Sequence, residues 1–320
     1  MLAAVSATLL CLSARAATID LSTLTANYTA HDGDVLTGET TYAVTIADGA
    51  TVTLAGVTIK TEWSPIVCAG DATVVLADDT ENAVTSETGS DNYSSPASAG
   101  IFVGPDGTTL TIRGGAKDTG RLTATGGWWG AGIGTSFRPN NYSVRRGSIV
   151  IAGGIIVANG GRQSPGIGVP QTSTERGTVS TCTSVTITGG TITATGGWYG
   201  DGIGGRYGCT VAIAPTITKI VATSGFQGQP IYADEGRLTI SSALTDTTSG
   251  STRTLEPPVI ESYADYAAAY LDGAAMEATD ASGIANVFRY VFDVPTGDFE
   301  EPLIDIAFEG GAVVVKTPKV

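Results

Sequence analysis

The chain has 320 residues, of which 43 are Gly and only 15% are charged. Its formal net charge of −14 argues against long-range steering toward nucleic acid or anionic lipid. Beyond the N-terminus no apolar run approaches the roughly 18 residues of a membrane-spanning helix, and Thr and Gly stand where a helical protein carries Leu, Lys and Glu, so an all-β chain is expected.

Residues 1–17 read as a secretory signal. An apolar stretch, Met1–Leu12, leads into Ala14-Arg15-Ala16, a small-x-small cleavage site. Cys11 follows Leu10, where a lipoprotein signal needs a small residue, so ordinary export to the medium or the cell surface is expected.

Residues 18–246 carry a repeat. Residues 18–40 read as a lead-in that caps the first coil, with a turn at Asp32-Gly33-Asp34. From residue 41 three apolar markers recur in fixed order. The first is the centre of a short alternating run: Leu54, Leu76, Ile112, Ile151, Ile187, Ile213 and Ile240. The second lies in an Ile-Thr-Ala-Thr-like run, at Leu122, Ile156, Ile192 and Ile220. The third is a lone Ile among small residues: Ile66, Ile101, Ile133, Ile167, Ile203 and Ile231. The repeat is plainest in Arg121–Thr135, Ile155–Val169, Thr191–Gly205 and the worn copy Lys219–Tyr232.

Short, β-branched, alternating runs predict strands. The Gly-Gly and Ala-Gly pairs between the first and second runs are too short for a helix and predict corners. A chain that turns at such corners and returns to the same three-strand order forms a coil. Coils stacked at about 4.8 Å bring equivalent residues into internal ladders. The expected fold is therefore a parallel β-helix of about seven coils. The alternative, an antiparallel sandwich, needs a hairpin loop after every strand and no repeated order of three. A polar loop is expected over residues 85–99. Longer insertions over residues 135–147 and 170–181 project from one edge and suit the walls of a groove.

Three cysteines follow the signal: Cys68, Cys182 and Cys209. Cys182 and Cys209 each precede the first strand of consecutive coils. A disulfide between them and a pair of reduced, buried thiols both remain open. Neither the cysteines nor the single His31 have metal-ligand spacing.

The candidate binding residues sit at the corner between the second and third runs. Trp128, Trp129, Trp198 and Tyr199 occupy equivalent turns, with Arg162 on the coil between them and Phe226 one coil further on. Exposed rings cost hydration unless they pack or bind. Sugars present apolar C–H faces to such rings; packing back onto the corner is the other reading. Asp201 is the acid within the Gly-x-Gly-Ile box, where its counterparts are Ala131 and Pro165, and it joins the binding set. A β-helix lyase or hydrolase needs clustered carboxylates with a base. Asp201, Arg113 and Asp118 are isolated along the repeat. Asp78, Asp79 and Glu81 cluster at a turn, which fits a solvated face or a weak calcium site. A non-catalytic protein is expected.

The runs Thr45–Ile59 and Val75–Asn82, together with the Ala-Thr-Gly-Gly…Gly-x-Gly-Ile-Gly repeats, resemble a family of exported bacterial parallel β-helix proteins described as carbohydrate-binding, which includes a clostridial cellulose- and pectin-binding member. The resemblance covers about residues 40–245. It implies a right-handed, pectin-lyase-like coil, binding of a polysaccharide or host glycan, an adhesin-like role at a surface, and calcium as an option.

Residues 247–258, with Ser-Gly-Ser-Thr and then Glu-Pro-Pro, read as a linker. Residues 259–320 read as a small α+β module. Helices are expected over Tyr263–Leu271 and Gly283–Asp293, the second capped by Asp280 or Ser282 and stopped by Pro295. Leu303–Phe308 and Ala312–Lys316 then pair as a hairpin. This tail resembles a short C-terminal module of exported bacterial proteins, though Asp280-Ala-Ser-Gly283 lacks the extra carboxylates of that module's calcium loop.

Overall fold

The structure is a computed structural model. It describes residues 17–87, 98–105, 107–136, 147–170, 184–205 and 209–258, and the strands Asp305–Glu309 and Ala312–Lys316. The chain divides into two units, Met1–Pro257 and Pro258–Val320.

The first unit is all-β. Its third-run strands form one parallel sheet of eight strands in sequence order: Tyr28–Ala30, Val44–Ile46, Ile66–Cys68, Ile101–Val103, Ile133–Gly134, Ile167–Gly168, Ile203–Gly204 and Ile231–Tyr232. The register sets Ile66, Ile101, Ile133, Ile167, Ile203 and Ile231 above one another, and all six are buried. That is the spatial form of the lone-Ile marker, and the architecture of a parallel β-solenoid. Among the described residues there is no α-helix, only a 3-10 turn at Leu21–Thr23.

The first and second runs share a second sheet. In Ala50–Thr61, Ser148–Asn159 and Ser184–Thr195 both runs belong to one twelve-residue strand bent in the middle. Gly56, Gly154 and Gly190 take φ of 84°, 86° and 85° at the bend. The bend breaks the in–out alternation once, so both runs turn their apolar residues inward. Asp79 and Asp118 adopt φ of 58° and 57° at the same bend in their own coils, a conformation that short polar side chains tolerate.

Two ladders line the core from this sheet. In the second run Leu122, Ile156, Ile192 and Ile220 are stacked as expected. In the first run Ile112, Ile151, Ile187, Ile213 and Ile240 are stacked, but Ile112 pairs below with Val74 and Leu76 pairs with Gly114. The expected Leu76–Ile112 rung is thus shifted by two residues. A shift of two keeps every side chain on its own face, so the apolar pattern could not reveal it.

Asn82 occupies a rung of the second-run ladder, paired with Leu122, and is buried. Its Oδ1 accepts from the backbone N–H of Gly56 (2.9 Å) and of Val57 (3.1 Å). Its Nδ2 donates to the carbonyl of Arg121 (2.9 Å) and to Thr80 Oγ1 (3.2 Å). One buried amide thereby ties three successive coils.

Both ends differ from expectation. The lead-in is itself a coil: Thr18–Asp20 pairs in parallel with Val35–Thr40, and Tyr28–Ala30 with Val44–Ile46. It supplies the rung Tyr28–Ala30, which together with Val44–Ile46 adds two rungs to the six lone-Ile rungs read from the sequence. The expected linker at residues 247–258 is largely strand. Thr245–Ser249 and Thr252–Glu256 form an antiparallel hairpin around Gly250, and Thr252–Glu256 runs antiparallel to Lys219–Thr223. Leu255 is fully buried opposite Ile220, and Arg253 grips Asp246 through Nε (2.9 Å) and a terminal guanidinium nitrogen (2.6 Å). One apolar residue among Thr, Arg and Glu is too sparse a pattern to announce a strand.

In the second unit Asp305–Glu309 and Ala312–Lys316 pair antiparallel, from Asp305 opposite Lys316 to Glu309 opposite Ala312. The two expected helices lie outside the described residues.

Candidate functional site

The corner between the second and third runs is built from four consecutive β-turns. Gly130 N donates to Gly127 O (2.9 Å), Ser164 N to Gly161 O (3.0 Å), Gly200 N to Gly197 O (2.8 Å) and Gly228 N to Gly225 O (3.2 Å). The turns also bond to one another: Gly161 N to Gly130 O, Gly197 N to Ser164 O and Gly225 N to Gly200 O, each at 2.9–3.0 Å. This backbone-on-backbone stacking explains the leading Gly. A Cβ at Gly161 would overlap the carbonyl oxygen of Gly127, and one at Gly197 that of Gly161.

Such stacking puts Trp128, Arg162, Trp198 and Phe226 in one column, each the second residue of its turn. The Arg162 guanidinium lies over the Trp128 ring, 4.9 Å from its centroid. Trp198 stacks on Phe226 with centroids 5.5 Å apart and planes 22° apart. Tyr199 meets Trp198 edge-on at 6.3 Å and 89°. Trp198 is 56% exposed and Phe226 71%, whereas Trp128 is half-buried and Trp129 is buried at 7%. The column is therefore most exposed at its Trp198–Phe226 end, while at the other end Trp128 is half-buried against exposed Arg162. Rings stacked coil on coil direct their faces toward each other and part of their edges outward. The offset of the Trp198–Phe226 pair leaves some face uncovered.

Asp201 stands apart from this surface. It is 1% exposed, and its Oδ1 accepts from the backbone N–H of Gln229 on the next coil at 2.8 Å. Its counterparts Ala131 and Pro165 are buried too. The carboxylate straps two coils from within and does not lie among the exposed rings.

The acidic turn has a similar structural role. Asp78 accepts from the backbone N–H of Lys117 (3.0 Å) and of Thr119 (3.4 Å), while Asp79 binds Lys117 Nζ (2.9 Å) and Thr119 Oγ1 (3.0 Å). The Lys117 N–H is the main cause holding the Asp78 carboxyl below its ordinary range. Asp118 repeats the device, accepting from Gly154 N on the following coil. Among the described residues no three His, Cys, Asp or Glu side chains are grouped to hold a metal ion. Nor, among them, is any helix long and apolar enough to cross a membrane.

Cys68 is a core rung between Ile46 and Val103, and burial pushes its thiol up to about 12. Cys209 is buried; Cys182 lies outside the described residues, as do most of the two insertions at residues 135–147 and 170–181.

Sequence reasoning missed two residues at this corner. Tyr42, just before Val44–Ile46, and Trp63, just before Ile66–Cys68, occupy it in earlier coils and are 36% and 49% exposed. Threonine hydroxyls set their turns: Thr40 Oγ1 accepts from Tyr42 N (3.1 Å) and Thr61 Oγ1 donates to Trp63 O (2.5 Å). Their signal was position, two or three residues before a third-run strand. The Gly-Gly motif that marks the later corners is missing there.

No protein-family model, curated protein or solved structure matches the chain.

Proposed function

We propose that the chain is an exported, non-catalytic glycan-binding protein of the secreted or cell-surface class, a right-handed parallel β-helix that binds polysaccharide on its aromatic corner. The handedness follows the general rule for parallel strand connections, and export rests on the N-terminal signal pattern. The observation that carries the reading is the paired exposure of Trp198 and Phe226, held in offset stack on turns that the coil fixes. Their uncovered faces suit sugar C–H groups, and Arg162 in the same column offers donors to hydroxyl oxygens. Asp201 is left out of the contact set because it is enclosed. Trp129 supports the turn from within.

A second reading is favoured by the same stack: a surface stalk whose rings stabilise one another and bind nothing. A glycan array with the Trp198→Ala/Phe226→Ala variant separates the two. At about 1 kcal/mol for each ring, the double variant should bind its glycan some 10- to 100-fold more weakly. Melting should change little, since the rings are exposed. Unchanged glycan binding, or no binding by the parent, would leave the stalk.

A further inference from the structure

We infer that the sugar bound at this corner carries an acidic group, a carboxylate or a sulfate ester, and that Arg162, seated on Trp128, is the residue that reads it. This rests on the glycan reading above and gives it a ligand class.

The charge of the chain changes sign where the column stands. Residues 121–232, which hold the four stacked turns, contain eight Lys and Arg against two Asp and Glu, a balance of +6. Residues 18–120 contain three against fourteen, or −11, and residues 233–320 five against fifteen, or −10. Solubility is served by charge of either sign, so it gives no reason for a reversal on these coils alone. A ligand of opposite sign does. A basic segment set between acidic ones draws an anion to itself and away from the rest of the chain.

The geometry places the reader within that segment. Three of its cations are described: Arg121, Arg162 and Lys219. Arg121 faces Glu81 at 3.4 Å and Lys219 faces Glu256 at 2.7 Å. Arg162 is exposed, and its guanidinium carbon lies 4.9 Å from the centroid of the Trp128 ring. A π face holds a cation without taking up its N–H donors, so this contact orients the guanidinium and does not occupy its fork. Trp128 is thereby a seat for the cation and not a second platform for sugar. Asp201, the acid described in this segment, is enclosed at 1% exposure.

The sugar platform is on the next coil. Gly197 N donates to Ser164 O at 3.0 Å, so the turns of Arg162 and Trp198 are one coil apart, about 4.8 Å at the backbone. Trp198 and Phe226 offer the uncovered aromatic face, and Tyr199 meets Trp198 edge-on. A pyranose stacked there holds an exocyclic acid at about the interval between the platform and Arg162. A neutral sugar uses the platform alone.

The test is calorimetric titration of the full chain with oligosaccharides in matched pairs: oligogalacturonates with their carboxyl-reduced forms, and sulfated galactan oligomers with their desulfated forms. The acidic member of at least one pair should bind about tenfold or more tightly than its neutral form in about 0.1 M salt. The ratio should shrink at about 1 M, where the screening length falls to about 3 Å. The pair that responds tells carboxylate from sulfate. Arg162→Gln should bring the ratio to about one, while Arg162→Lys keeps part of it. Trp128→Leu, which keeps bulk and has no π face, should lower the ratio as well. Trp198→Ala/Phe226→Ala should weaken acidic and neutral forms alike. Retained melting curves exclude misfolding. Neutral forms that bind as tightly as the acidic ones, or a ratio untouched by Arg162→Gln, would overturn the inference while glycan binding stands. A ratio untouched by Trp128→Leu would overturn the seat. If no sugar binds the parent, the glycan reading falls and this inference falls with it. Capture of a single-stranded oligonucleotide would then identify the basic segment as a nucleic-acid site.

Discussion

Asn82→Leu is a sharp test of how this coil is held together. In shape the change is favourable, because Asn82 stands in line with Leu122 and Ile156 on a ladder of aliphatic rungs. Burying a leucine there contributes about 1.5–3 kcal/mol. Against this stand the partners of the amide. Gly56 N is at an exposed residue and Thr80 Oγ1 is half-buried, so water replaces those two bonds at small cost. Val57 N–H, in a buried bond, and the Arg121 carbonyl, in a part-buried one, lose their partner. Each such group costs about 1–3 kcal/mol when left unmade. The net expectation is destabilisation by about 2 kcal/mol, or a fall in melting temperature of roughly 5 °C for a unit of this size. Hydrogen exchange gives the local readout: the Val57 amide should lose protection while Val185 and Ile187, far along the coil, keep theirs. An Asn82→Leu protein as stable as the parent, with Val57 still protected, would refute the bridging role.

Two further outcomes are expected. Ile187 is fully buried between Ile151 and Ile213, so Ile187→Asp places a carboxylate in the aliphatic ladder and should cost several kcal/mol; a parent-like melting curve would contradict the register. Burial, and then the hydrogen bond to Asp34, raises the Tyr28 phenol from 10 to about 12. Its stabilising contribution is therefore intact below pH 10 and disappears as pH rises through 12. Tyr28→Phe should be about 1 kcal/mol less stable than the parent at pH 8, and the gap should close across that window. Cys68 titrates over a similar range but is common to both proteins. A gap that stays constant to pH 12 would show that the phenol is not the source.

What was legible in the sequence follows the physics of each element. A ladder demands the same kind of residue on every coil, so Ile66 through Ile231 could be aligned by eye and proved to be stacked. The corner at Gly127, Gly161, Gly197 and Gly225 was legible too, because only glycine permits backbone to rest on backbone. The rung between Leu76 and Ile112 was hidden by the period of two, which is blind to a slip of two residues. Tyr42 and Trp63 were hidden because their turns are shaped by threonine hydroxyls and differ in length from the Gly-Gly turns. The enclosed position of Asp201 was out of reach for another reason. An acid between two glycines at a turn reads as surface, whereas the coil above it, through Gln229 N, supplies a partner that a single repeat does not show.

The closing hairpin at Thr245–Glu256 has a consequence for how such a chain can change. Every coil before it pairs in parallel with the next, and neighbouring repeats such as Ser148–Asn159 and Ser184–Thr195 are matched nearly residue for residue. Recombination between the gene segments for two such repeats would add or remove a whole coil and rejoin like to like. The hairpin is antiparallel to Lys219–Thr223 and turns outward a strand, Thr245–Ser249, that is exposed throughout. It offers no parallel template to a further coil. Such an exchange would fall in the middle of the chain, where it would lengthen or shorten the corner between the second and third runs by one rung and leave the closing hairpin in place.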